Sequence, residues 1–210
     1  MKLYVFIMAP NPTRVRLVVA EKRAAGAAID LPEVMVNLIE GEQRKPEHLA
    51  RNPMGKLPVL ELDDGRFLTE SGAIIEYLEE IHPEPSMLGE SPAERARLRE
   101  LECIANAGVL AATALVVHAT NSPLGWPASP EVAAWAREAL APPMQRLEDL
   151  LADGRPFIAG ESPSVADCTV QAAFQFARFR EVEIIGDRAH VARWDAAYRE
   201  REAARAVLVV

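Results

Sequence analysis

At 210 residues, 50% of them hydrophobic and 26% charged, the chain holds enough apolar material for one or two compact units and falls outside the disordered class. A formal net charge of -8 argues against a nucleic-acid groove, which needs clustered lysines and arginines to neutralise phosphate, so no nucleic-acid partner is expected and the ligand should be a small molecule. Cys103 and Cys168 form no C-x-x-C pair and read as two buried thiols in a reducing compartment, which fits a cytoplasmic location.

The opening "MKLYVFIMA" carries one positive charge and a short apolar run, but "PNPTRVR" follows where a cleavage site should stand, so it reads as a first strand, Leu3 to Ile7. No membrane-spanning segment is expected anywhere. A proline-rich elbow, Ala9 to Thr13, leads into a helix from Thr13 to Ala25, then a strand from Leu31 to Leu38 and a polar stretch. "LPVLEL" (57–62) and "RFLTE" (66–70) flank Asp63, Asp64 and Gly65, a hairpin turn whose glycine supplies positive φ. Ile74, Tyr77, Leu78 and Ile81 then recur at helical spacing, and that helix stops before Pro83.

"HPEPSMLGESP" (82–92) has three prolines and no periodicity, and it divides the chain into a unit at 1–82, a linker at 83–92 and an all-helical unit at 93–210. "SPAE" (91–94) predicts a capping box and a long helix reaching about Ala119, buried from Gly108 to Val117. "SPEV" (129–132) caps the next helix, which Pro142 and Pro143 are expected to break near Ala141. "SPSVAD" (162–167) pairs Ser164 with Asp167 in a second capping box ahead of a segment apolar enough to be the unit's central helix, so Asp167 reads as structural.

The stretch "NPMGKLPVLELDDGRFLTESGAIIEYL" (52–78), followed by the proline-rich linker and a helical half with "SPSVAD", resembles the cytosolic glutathione transferases. "APNPTRVRLVVAEK" and "NLIEGEQRKPEHLARNPMGKLPVLELDDG" look most like the bacterial and fungal branch that includes the yeast type-two and nu-like enzymes. The resemblance implies an α/β thioredoxin-like N-terminal domain and an all-α C-terminal domain. It also implies glutathione as co-substrate with no metal, an acceptor site between the domains, and a homodimer packed across the helices at 74–81 and after Pro92. It further implies a cis peptide at Leu57–Pro58 that turns the Leu57 backbone toward the cysteinyl unit of glutathione. On the residues alone, Pro58 reads first as an ordinary edge-strand proline, and only the surrounding motif favours the cis reading. Glu70 would receive the γ-glutamyl ammonium, while Ser71 and the first helical N–H groups suit its α-carboxylate. The same residues could simply cap a helix. Gln43 and Lys56 map onto positions that hold the glycine end, although Lys56 also fits a solvated charge.

The family's usual activating serine aligns with Pro10, which cannot donate to sulfur. Tyr4 belongs to a strand, and no cysteine lies in the first hundred residues. Lowering a thiol pKa from about 8.5 to about 6.5 takes roughly 2.7 kcal/mol. A helix N-terminus supplies up to ~2 kcal/mol and one hydrogen bond to a charged acceptor ~1.5–3 kcal/mol. Asn11 and Thr13 are the donors at the mouth of the first helix, and both equally suit a helix cap. His118 is the third candidate, facing the cleft in relatives of this branch and otherwise a core or capping histidine. Trp126 could wall the acceptor site or anchor its loop. The expected function is thiol activation for attack on a small electrophile. The alternatives are a glutathione-dependent peroxidase or disulfide reductase, a double-bond isomerase, and a non-enzymatic binding module of the same fold.

Overall fold

Leu3 and Val5 alternate with Tyr4 along the first strand, so one side of the sheet joins the main core while the other carries a small cluster of Tyr4, Val36, Leu57 and Val59. The computed structural model of the protein describes residues 1–209; Val210, the last residue of the expected helical unit, lies outside the described residues. The N-terminal domain runs β1 (Lys2–Val5), α1 (Pro10–Ala24), β2 (Glu33–Met35), a 3-10 turn (Glu42–Arg44), α2 (Pro46–Leu49), β3 (Val59–Glu61), β4 (Phe67–Thr69) and α3 (Ser71–Ile81). The sheet order is β2-β1-β3-β4, with β1 parallel to β2 and antiparallel to β3, and β4 antiparallel to β3, a thioredoxin-like arrangement. Gly65 closes the hairpin at φ 82°. The polar stretch conceals α2, whose four residues are too short to show a period.

The C-terminal domain is helical: α4 (Pro92–Cys103), a π-helical segment (Ile104–Leu110), α5 (Ala111–Asn121), α6 (Pro130–Leu151), α7 (Val165–Phe179), α8 (Ala189–Arg199) and α9 (Glu202–Val207). Ser91 and Glu94 form the capping box that opens α4, and Ser129 caps α6. Helical structure runs from Pro92 to Asn121 without a gap, and this stretch is long and apolar enough to cross a membrane. Here it packs against α6 and α7, with Val109, Leu110, Val116 and Val117 all in the core.

Two expectations fail. The helix does not break at Pro142 and Pro143, because α6 buries a continuous stripe of Ala136, Leu140, Met144, Leu147 and Leu151. The carbonyls that lose their N–H partners belong to Glu138 and Ala139, on the exposed side where solvent can serve them. Gly108, in the π-helical segment, lets the proline pair approach: a Cβ there would stand 2.8 Å from Cβ of Pro143. Nor are both cysteines buried. Cys168 is, whereas Cys103 ends α4 on its solvent side.

The two domains share one core, with α1 packed on α7 and α9. Buried Arg14 of α1 pairs with Glu102 and donates to Asn106 Oδ1 at 2.8 Å, while Thr169 of α7 donates to Glu102 at 2.8 Å. Desolvation pushes Glu102 up to about 7 despite the guanidinium beside it. A second buried pair, Lys22 with Glu79 at 2.7 Å, also holds the Pro85 carbonyl and the Met87 N–H, fixing the segment between α3 and α4.

Candidate active site

The first turn of α1 opens onto a cavity of about 320 Å³ between the two domains, lined on this side by Met8 through Pro12. An α-helix leaves the N–H groups of its first turn without internal partners. Here Pro10 and Pro12 have none to offer, Ala9 supplies no side-chain cap, and Thr13 N–H already donates to Ala9 O at 3.1 Å. Asn11 is therefore the one residue of that turn with a free backbone N–H. Its carboxamide oxygen accepts from Ser71 Oγ at 3.2 Å, leaving the amide nitrogen as a second donor.

Ser71 begins α3, so the positive ends of two helices converge at Asn11. The turn that brings them together places Glu70 at φ 67° and ψ 116°, a left-handed backbone that costs a non-glycine residue about 1–3 kcal/mol. Glu70 is exposed and its carboxylate makes no capping bond, so it is free to take a cation at the rim. Ser71 and Glu70 stand beside the cavity, joined to its wall through Asn11.

The opposite edge of the N-terminal domain contributes Gln43, Lys56 and Leu57 to the cavity wall. Gln43 donates to Leu38 O at 3.4 Å, while its Oε1 is buried without a partner, an acceptor that a ligand N–H could satisfy. The Lys56 side chain is exposed, and its carbonyl is held by Asn52 Nδ2 at 3.0 Å. The Leu57–Pro58 peptide is cis, with Pro58 buried behind Leu57.

His118, near the end of α5, faces the same cavity from the C-terminal domain. Its ring lies 4.7 Å from that of Trp126 and 5.5 Å from that of Phe176, and its Nδ1 is 2.9 Å from Ser122 Oγ. Burial lowers its pKa, so the imidazole is neutral at pH 7. Trp126 therefore forms cavity wall, not a remote loop anchor. The remaining C-terminal wall is apolar: Ala114, Leu124, Phe176 and Phe179.

Thr13 does not belong with these residues. It is fully buried and outside the cavity lining; its hydroxyl faces the carbonyls of Ala9 at 2.9 Å and Ile7 at 3.1 Å and accepts from Gln175 at 3.2 Å. A single hydroxyl proton committed to backbone carbonyls cannot also serve a sulfur anion in the cavity. Tyr4 donates to Glu61 at 2.6 Å on the other face of the sheet. Sequence reasoning missed Arg44, a cation on the cavity wall, and Gln175. The polar run around Arg44 gave no period to place it by, and nothing local marks Gln175.

Residues 3–86 match the glutathione S-transferase N-terminal domain family and residues 96–200 the glutathione S-transferase C-terminal domain family. The chain is 31% identical over 209 residues to glutathione S-transferase 2 of Saccharomyces cerevisiae, covering 96% of this chain and 86% of that protein. It is 34% identical over 177 residues to the maleylacetoacetate isomerase of Pseudomonas aeruginosa, covering 80% of this chain and 76% of the other. A glutathione S-transferase from Methylobacillus flagellatus, solved with glutathione bound, superposes with a TM-score of 0.82 at 28% identity over 100% of this chain and 99% of that one. With both domain families matched and curated bacterial and fungal relatives at 31–34% identity over most of their length, this chain belongs to the cytosolic glutathione S-transferase superfamily.

Proposed function

We propose that this protein binds glutathione with its sulfur at the mouth of α1 and activates the thiol for attack on an uncharged electrophile. The observation that carries the reading is the single uncapped donor residue, Asn11, at a helix N-terminus opening onto the cavity that His118 faces. Glu70 takes the γ-glutamyl ammonium, Ser71 and the first N–H groups of α3 take the α-carboxylate, the Leu57 backbone pairs with the cysteinyl unit, and Gln43 and Lys56 hold the glycine end.

In the reaction, the neutral His118 gives Nδ1–H to Ser122 and accepts the thiol proton at Nε2, directly or through one water. The N–H and amide of Asn11, with the positive end of α1, hold the resulting sulfur anion. The sulfur then forms a bond to the electrophilic carbon. The leaving group departs with its electron pair; where the acceptor is a double bond, the proton returns to the adjacent carbon.

Conjugation is favoured over the isomerisation that several relatives are named for, because the C-terminal wall offers a dicarboxylate no cation: His118 is neutral, and Arg44 and Lys56 lie on the glutathione side. Thiol–disulfide chemistry is disfavoured because neither Cys103 nor Cys168 lines the cavity. The kinship with nu-like enzymes rests on the two quoted N-terminal motifs, the homodimer across α3 and α4 on the wider family resemblance, and the cytoplasmic location on the two unpaired cysteines. The deciding experiment is the ultraviolet difference spectrum of bound glutathione across pH. A thiolate band appearing well below the free thiol's midpoint, and moved upward by Asn11→Ala, is expected. Binding with an unshifted midpoint would remove the mechanism, and no binding would leave a non-enzymatic module of this fold.

A further inference from the structure

The elbow between β1 and α1 has few bonds of its own. Pro10 and Pro12 cannot donate, and its backbone bonds are Ala9 N–H to Phe6 O at 3.0 Å and Thr13 N–H to Ala9 O at 3.1 Å. With so few local bonds, groups reaching it from elsewhere add to what holds its shape. Gln175 of α7 is one, with no exposed surface. Its Nε2 donates to Ile7 O at 3.1 Å and to Thr13 Oγ1 at 3.2 Å, which places a brace at each end of the elbow. Thr13 in turn donates to Ala9 O in the middle. The other end of the amide is also engaged, since Gln175 Oε1 accepts from Val209 N–H at 2.8 Å, in the tail that follows α9.

We infer that Gln175 is a positioning residue that holds the thiol-activating elbow in register with the acceptor wall, and that the tail after α9 orients it. This rests on the function proposed above. All three bonds of Gln175 span the chain, 168, 162 and 34 residues in separation, so the side chain serves no local turn. Its neighbours on α7, Phe176 and Phe179, line the cavity, so one helix carries both the acceptor wall and the elbow's brace. A buried amide that merely satisfied the core would not need both framing residues of the one loop that meets the sulfur. A shift of about 1 Å in that loop is enough to cost up to ~100-fold in rate, because the Asn11 donors must be aimed when the anion forms.

Gln175→Met keeps the size and removes both donors and the acceptor, while Gln175→Glu keeps an acceptor for Val209 and loses the donors. Val209→Pro, at a half-exposed position outside every helix, removes the N–H that orients the amide without touching the cavity, and carries the test if the Gln175 variants fail to fold. Each is measured for urea unfolding, for kcat and KM with glutathione and chlorodinitrobenzene, and for the pH midpoint of bound glutathione's thiolate band. Expected is a fall in kcat of about tenfold for Gln175→Met, smaller for Val209→Pro, with KM for glutathione near the parent's and the thiolate midpoint raised. Folded variants with parental kcat and midpoint would overturn the inference, as would a loss confined to unfolding stability. A parent protein that shows no thiolate band would instead sink the transferase reading on which this rests.

Discussion

The hydroxyl of Ser71 lies 3.2 Å from the carboxamide oxygen of Asn11, so the first turn of α3 and the first turn of α1 are bonded to each other beside the cavity. In the proposed function the two residues divide one task. Ser71 can release Asn11 and turn to the γ-glutamyl carboxylate, while Asn11 keeps its N–H groups for the sulfur. Asn11→Ala should therefore lower kcat/KM about 10–100-fold, the worth of one hydrogen bond to a charged group, and raise the thiolate midpoint. Ser71→Ala should raise KM for glutathione about tenfold with kcat retained. Steady-state kinetics on both variants separate these effects; an equal fall in kcat for the two would refute the division.

In the proposed mechanism His118 sets the acid limb. Burial depresses its pKa below the ordinary 6.5, so as pH falls the base stays neutral past the point where a solvated histidine would be charged. The kcat/KM profile should hold its plateau below pH 6.5 and then decline, and His118→Asn should lower the plateau and abolish that limb. The sign for stability is the same: a depressed histidine contributes above its unfolded pKa and loses that contribution as pH drops. An acid limb that survives in His118→Asn would assign it to another group.

Much of this could be read from local signals. Ser91 with Glu94, Ser164 with Asp167, and the Asp63–Gly65 turn act within a few residues, and each was legible. Asp167 is structural, as expected of a cap: it accepts from Ile158 N, Ser164 N and Trp194 Nε1 as well as the Ser164 hydroxyl. What stayed hidden depends on what arrives from far away. Thr13 looks like a donor to the cavity, but the fold turns its hydroxyl onto the Ala9 and Ile7 carbonyls, an arrangement that Gln175, 162 residues on, joins by donating to it. The double proline looks like a break until the buried stripe of α6 is seen to outweigh two lost backbone bonds. The left-handed turn at Glu70 has no local sign, since glutamate does not favour that conformation.

Glu102 gives the fold an unusual pH response. Its pKa rises from 4.5 to about 7 because burial outweighs Arg14 and Thr169. The folded state thus holds the proton more tightly than the unfolded chain, so stability is greatest below pH 4.5 and declines as pH climbs to about 7, by on the order of 3 kcal/mol at most from this group. Asp167, raised to about 6 by burial, acts in the same direction. Glu102→Gln keeps an acceptor for Arg14 and removes the titration, so urea midpoints for the variant should fall less between pH 5 and 7 than the parent's. Parallel profiles would show that the Arg14 charge fully offsets the burial.

The acceptor wall makes the last prediction. Among the described residues, the cations on the cavity lining are Arg44 and Lys56, and the C-terminal side presents Ala114, Leu124, Trp126, Phe176 and Phe179 around a neutral His118. A flat apolar electrophile loses little on entering, and its ring can stack with Trp126. A dicarboxylate would shed its hydration against carbon, which no pairing on that wall repays. Turnover of chlorodinitrobenzene should therefore exceed isomerisation of maleylacetoacetate by at least about 100-fold in kcat/KM, a difference of ~3 kcal/mol. Leu124→Arg should narrow the gap by supplying the missing charge at an exposed position on the rim. If the parent isomerises the diacid as readily as it conjugates the aromatic, glutathione's own cationic partners must reach the acceptor, and the division of the cavity into a charged half and an apolar half is wrong.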